Sequence, residues 1–105
     1  PLEINSDGNY DTCNADSTST MHCIALAGDT GTGAGKRLIK AGSFVRNTSA
    51  WSGFTAGDSL YVSTTTGTIT NLAPSGSGDQ VQLLGKACGN SVIWFNPSPV
   101  VVEIS

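Results

Sequence analysis

Histidine is nearly missing: among 105 residues there is one, His22. A multi-histidine metal centre is therefore excluded, and a Ser/His/Asp arrangement would have a single base, set between Met21 and Cys23 in what reads as a strand. Charge is scarce too. Five Lys and Arg stand against eight Asp and Glu, 12% of the chain with a formal net charge of −3. So few cations create no field for neutralising a run of phosphates, which excludes nucleic acid as a main partner. No apolar run approaches the ~18–20 residues of a membrane span, and no basic start leads into an apolar core, so neither a membrane segment nor a secretion signal is read. The start Pro1-Leu2-Glu3 is what trimming an initiator Met before a small residue leaves, and a genuine start is the expectation.

Cysteine is sparse and odd in number. Cys13, Cys23 and Cys88 have the spacing of neither a disulfide framework nor a zinc site. Cys13 and Cys23 facing each other across a hairpin is one alternative. Buried free thiols, with synthesis in a cytoplasm, are the favoured expectation.

What the chain does have is 38% hydrophobic residues and 13 glycines, enough apolar content for one modest core, and a single domain over residues 1–105 is the natural reading. Helical periodicity is absent, while short alternating or β-branched runs recur. They predict strands over Tyr10–Ala15, Thr20–Ala27, Lys36–Asn47, Ser59–Ser63, Thr68–Asn71, Gln80–Ala87, Ser91–Phe95 and Val100–Ile104. Turn residues separate them. Asp7-Gly8-Asn9 reads as a hairpin turn or as the hinge of an N-terminal arm over residues 1–9, Gly28–Gly35 as an exposed glycine-rich loop, and Gly42 as a bulge or bend. Gly57-Asp58, Thr64–Gly67, Pro74–Asp79 and Gly89-Asn90 mark further turns. Alternation puts Leu60 and Val62 on one face with Tyr61 and Ser63 on the other, and sets Trp94 and Phe95 on opposite faces. The run Val100–Ile104 must be covered on both faces or paired with a neighbour. The whole reads as an all-β fold, a small antiparallel β-barrel or β-sandwich with an extended N-terminal arm.

Reactive constellations are thin. Gly31–Arg37 has the glycines and lysine of a phosphate-binding loop but has Thr30 and Arg37 where the pattern needs Gly and Ser or Thr, and no helix follows. Most aspartates stand beside Gly, Asn or Ser, where they build turns. Asn5, Asp7, Asn9 and Asp11 alternate like calcium ligands without the bidentate Glu such a loop needs, and Asn47-Thr48-Ser49 fits the glycosylation pattern with no secretion signal to give it meaning. No set of nucleophile, base and orienter is assembled, so no catalytic residue, metal or cofactor is assigned and the expectation is a non-enzyme. Lys36, Arg37, Lys40 and Arg46 place four of the five cations in one segment, either a basic stripe for an acidic partner or a solvated face. Trp51, between small residues, is the better interface candidate among the aromatics, with Phe54 nearby.

The second half resembles a β-domain common in the virion proteins of tailed phages. The resemblance rests on Gly57-Asp58-Ser59-Leu60-Tyr61-Val62-Ser63-Thr64-Thr65-Thr66-Gly67-Thr68-Ile69-Thr70, then Ala73-Pro74-Ser75-Gly76-Ser77-Gly78-Asp79-Gln80-Val81-Gln82, then Phe95-Asn96-Pro97-Ser98. It is dense over Phe54–Ile104 and looser over Thr20–Arg46. Such domains serve as capsid decoration (cement) proteins and also occur within tail-fibre or head-fibre chains; the short chain favours decoration. The resemblance implies a virion protein on the capsid exterior, with the major capsid protein as partner and a homo-oligomer, trimer or dimer, as the working form. It also implies contacts through the N-terminal arm, with Leu2 and Ile4, and through the glycine-rich loop and its flank, with Lys36, Arg37 and Arg46, alongside Trp51 and Phe54.

Overall fold

A computed structural model describes residues 1–4, 10–16, 21, 23–27, 38–39, 41–48 and 51–104. Every regular element among them is a strand: β1 (Leu2–Ile4), β2 (Tyr10–Thr12), β3 (Leu26–Ala27), β4 (Leu38–Ile39), β5 (Ser43–Arg46), β6 (Ser59–Val62), β7 (Ile69–Thr70), β8 (Gln80–Val81), β9 (Leu83–Ala87), β10 (Val92–Phe95) and β11 (Val102–Glu103). All pairings are antiparallel.

The main layer is a five-stranded sheet ordered β5-β10-β9-β6-β7. Its connections follow from turn chemistry. Gly57, Gly67 and Gly78 adopt φ of 94°, 77° and 84°, each at the third place of a turn closed by an N–H to C=O bond: Asp58 to Thr55 (3.0 Å), Thr68 to Thr65 (3.2 Å) and Asp79 to Gly76 (3.0 Å). Positive φ at that place is what a type II turn asks of glycine. The first and third turns share a second device. The Asp58 carboxylate accepts the Thr55 N–H (2.9 Å), and the Asp79 carboxylate accepts the Gly76 N–H (2.9 Å). Gly42, at φ 88°, separates β4 from β5 as the sequence predicts, and sends them into different sheets. Gly89-Asn90 does join β9 to β10, but neither residue has positive φ. The loop is instead closed outside them by the Cys88 N–H to Val92 C=O bond (2.7 Å).

The second layer is built from the N-terminal third. β1 pairs with β2 (Leu2↔Thr12 to Ile4↔Tyr10), and on its other side Leu2 bridges Ala25. That bridge is made by Leu2 N–H to Ala25 C=O and Ile24 N–H to Leu2 C=O, both 2.8 Å; β3 then pairs with β4. Residues 1–4 are therefore woven between two neighbours with Glu3 buried, so they form a hairpin strand and do not extend away as an arm; residues 5–9 lie outside the described residues. The predicted strand Thr20–Ala27 is regular only at Leu26–Ala27, because Ile24 and Ala25 spend their backbone groups on β1.

Between the layers lies one core: Cys13, Ala15, Cys23 and Leu26 from the N-terminal side against Leu60, Val62, Leu84, Ala87, Ile93 and Phe95 from the sheet. Leu60 and Val62 face inward as alternation requires, and Phe95 is buried while Trp94 faces out. The principal extents of 39 × 35 × 21 Å agree with two stacked layers. The fold is sandwich-like, and no closed barrel forms among the described residues. Val100–Ile104 takes the second of its two expected outcomes, pairing with a neighbour, at Val102 and Glu103 on β8, while Val100 and Val102 stay exposed.

Candidate functional site

Register decides which side chains share the outside of the main sheet. Phe44 on β5 lies opposite Trp94 on β10, Trp94 opposite Lys86 on β9, and Lys86 opposite Ser59 on β6, so one row crosses four strands. Beside it Arg46 lies opposite Val92. The inward rows are Ser43-Phe95-Gly85-Leu60 and Val45-Ile93-Ala87. Phe44 is 72% exposed and Trp94 36%, and Lys86 Nζ donates to Ser59 Oγ at 2.9 Å. Arg46 and Lys86 are the two cations among the described residues, and both stand on this face of a chain whose net charge is −3.

A bulge interrupts the ladder where β6 meets β9, just past the Ser59–Lys86 pair. Leu60 lies opposite Gly85 and Tyr61 opposite Leu83, with the register slipping between them. Leu84 and Gly85 thus both turn toward the core, and Gly85 takes φ 138°. A Cβ there would stand 1.9 Å from the Trp94 carbonyl oxygen, so only glycine allows β10 to approach this closely.

The edge strands β5 and β7, at opposite ends of the sheet order, line one cleft of about 370 Å³. The sheet is curled enough to bring its two rims toward each other. Leu26 and Ile39 from the second layer, Val45 and Arg46 from β5, Trp51, and Ile69 from β7 form its walls. Trp51 is half-buried against the core and its ring centre lies 6.4 Å from that of Phe54, at 33°.

The predicted interface residues are thus distributed unevenly. Arg46 is exposed on an edge strand, Trp51 lines the cleft, and Phe54 packs half-buried on the core. Leu2 is half-buried inside the second layer and Ile4 closes β1. Lys36 and Arg37, with the glycine-rich segment from 28 onward, lie outside the described residues, as does His22. Sequence reasoning missed Phe44 and Lys86. Phe44 alternates with Val45 after a glycine bend, a signal that marks it as outward, but its meeting with Trp94 depends on a strand pairing the pattern does not state.

Two features join the layers. Gln82, fully buried, behaves like a piece of backbone: its Oε1 accepts the Cys23 N–H (2.7 Å) and its Nε2 donates to the carbonyls of Cys23 and Ser98 (2.8 Å each). The free thiols of Cys13 and Cys23 are buried together, as contacts between the β2 side and the 23–25 segment rather than across one hairpin. The hydrogen bond to Cys23, reinforced by burial, pushes the Cys13 thiol far above its ordinary range. Cys88 is exposed.

No protein-family model matches the chain, and no curated protein or solved structure compared with it matches either.

Proposed function

We propose that the chain is a structural protein of a tailed-phage particle, which sits on the outside of the capsid and bridges neighbouring shell subunits as a decoration protein. The observation that carries this reading is the outer sheet face: two exposed aromatic anchors, Phe44 and Trp94, directly opposed on a rigid sheet and bordered by Arg46 and Lys86. Interfaces draw their energy from a few aromatic and arginine anchors surrounded by near-neutral contacts. Arg46 and Lys86, the cationic side chains among the described residues, both border this face, which fits an acidic shell surface. The sequence resemblance supplies the partner, the major capsid protein, and a homo-oligomer, favouring a trimer, repeats one contact around a symmetry axis.

The rival reading, a receptor-binding module of a tail or head fibre, expects exposed aromatics beside Asn and Asp for saccharide recognition. Here the residues opposite and alongside them in register are Arg46, Lys86 and Ser59, with no Asp among them, which favours a protein surface. Mechanically, a decoration oligomer across a subunit junction adds interface energy that expansion of a pressurised shell has to break.

The test is reconstitution with purified shells. The reading expects saturable binding at a stoichiometry comparable to that of the shell protein, raised thermal resistance of the shells, and at least a ten-fold loss of affinity for Phe44→Ala or Trp94→Ala. A handful of copies located at the tail, or no binding to shells, overturns it.

A further inference from the structure

We infer that the cleft between β5 and β7 is a slot for an extended acidic segment of the shell protein, which adds to the β5 edge as a further strand and drops an apolar side chain between the two rims. The inference rests on the shell-binding reading for the source of the segment; the slot itself stands on three features of the fold.

The first is unspent backbone. Asn47 N–H bonds to Ser91 C=O at 3.0 Å, which fixes the parity of the β5–β10 ladder: Ser43, Val45 and Asn47 turn their backbone groups toward β10, so those of Phe44 and Arg46 point away from it. On the other rim Ser63 N–H bonds to Thr68 C=O at 3.2 Å, so the groups of Ile69 point away from β6. Among the described residues β5 and β7 are end strands with no further neighbour. A strand edge with free N–H and C=O groups is a template for an added strand.

The second feature is the apolar floor. Leu26, Ile39, Val45, Trp51 and Ile69 surround a volume of about 370 Å³, at the low end of the ~300–1,000 Å³ of ligand sites. An added strand alternates its side chains, sending one into this volume and its neighbours outward. The third is charge. Arg46 lies on the rim, is exposed, and makes no ion pair among the described residues, while the chain as a whole carries −3. A carboxylate beside the inserted apolar side chain meets Arg46 on the rim, whereas a basic segment is repelled by it.

The experiment uses the full chain labelled with ¹⁵N and two probe peptides, acetyl-Glu-Leu-Glu-Val-Glu-amide and its counterpart with Lys for every Glu. The acidic peptide is expected to shift the amides of Phe44, Arg46 and Ile69 and the Trp51 indole, with affinity at least ten-fold above that of the basic one. Arg46→Glu, on an exposed position, is expected to reverse that preference, and Ala27→Trp, which narrows the mouth from an exposed lining position, to abolish both. Equal shifts from the two peptides, shifts confined to β11, or none at millimolar peptide overturn the slot. In the shell assay, an Ala27→Trp chain that binds like the wild type overturns the inference and leaves the decoration reading, which rests on the outer sheet face, standing. Peptide capture in the cleft by a wild-type chain that ignores shells overturns the decoration reading, and with it the shell protein as the segment's source.

Discussion

Single residues decide more in this fold than its simple composition suggests. Gly85 is the sharpest case, since a methyl group there collides with the Trp94 carbonyl on top of an unfavourable φ. Gly85→Ala is expected to cost about 3 kcal/mol or more, read as a lowered denaturant midpoint. Gln82→Leu keeps the volume but strands two buried backbone groups, the Cys23 N–H and C=O, and a part-buried third, the Ser98 carbonyl. At roughly 1–3 kcal/mol for each unsatisfied group, this removes a large part of the ~5–15 kcal/mol available to a domain, and thermal unfolding shows whether it does. Asp58 tests the turns. The Thr55 N–H and then the Asn71 amide hold its carboxyl below the usual carboxylate range. A group whose pKa is lower in the folded state stabilises above its unfolded value, about 3.9 for Asp, and loses that contribution as pH falls through the folded value. Asp58→Asn is therefore expected to lower the plateau near neutrality toward the acid value and so flatten the acid limb of a stability–pH curve; an unaltered acid limb contradicts this.

At the scale of elements, the second half of the chain was legible and the first half was not, for a physical reason. From Phe54 on, β6 and β10 alternate cleanly and the turns at 55–58, 65–68 and 76–79 carry their own glycine, so local chemistry fixes these strands and turns. Before residue 48 the strands are two to four residues long and hold together through non-local bonds. Leu2 is set by Ala25, Cys23 by Gln82 and Ala15 by Ser63, and no window of sequence contains both partners. The candidate face shows the same division: Trp94 reads as one side of a two-faced strand, but its row with Phe44 and Lys86 exists only through register. β11 illustrates what alternation cannot show, because Val102 remains exposed despite the pairing with β8. Val102→Lys, at an exposed position, is expected to leave the unfolding midpoint within about 0.5 kcal/mol of wild type and to reduce self-association at high concentration, measured by light scattering. Among the thiols, a disulfide reagent should modify Cys88 in the native protein and reach Cys13 and Cys23 only after unfolding.

For the whole molecule, the division of labour is between a rigid sheet and a layer that closes it. The inner rows of the sheet are covered by Cys13, Ala15, Cys23 and Leu26, so residues 54–105 produced alone would leave Leu60, Val62, Ile93 and Phe95 facing water and are expected to be molten or aggregated, seen as lost chemical-shift dispersion. Binding to shells, if it proceeds through Arg46 and Lys86, should weaken as ionic strength rises. The buried carboxamide at position 82 has one further consequence. Because a lone side chain stands in for a missing ladder rung between segments 59 residues apart, neither segment can be swapped for a foreign counterpart without a donor and an acceptor at that height. Lineages descending from this chain should exchange surface loops freely and inherit its two layers as an indivisible whole.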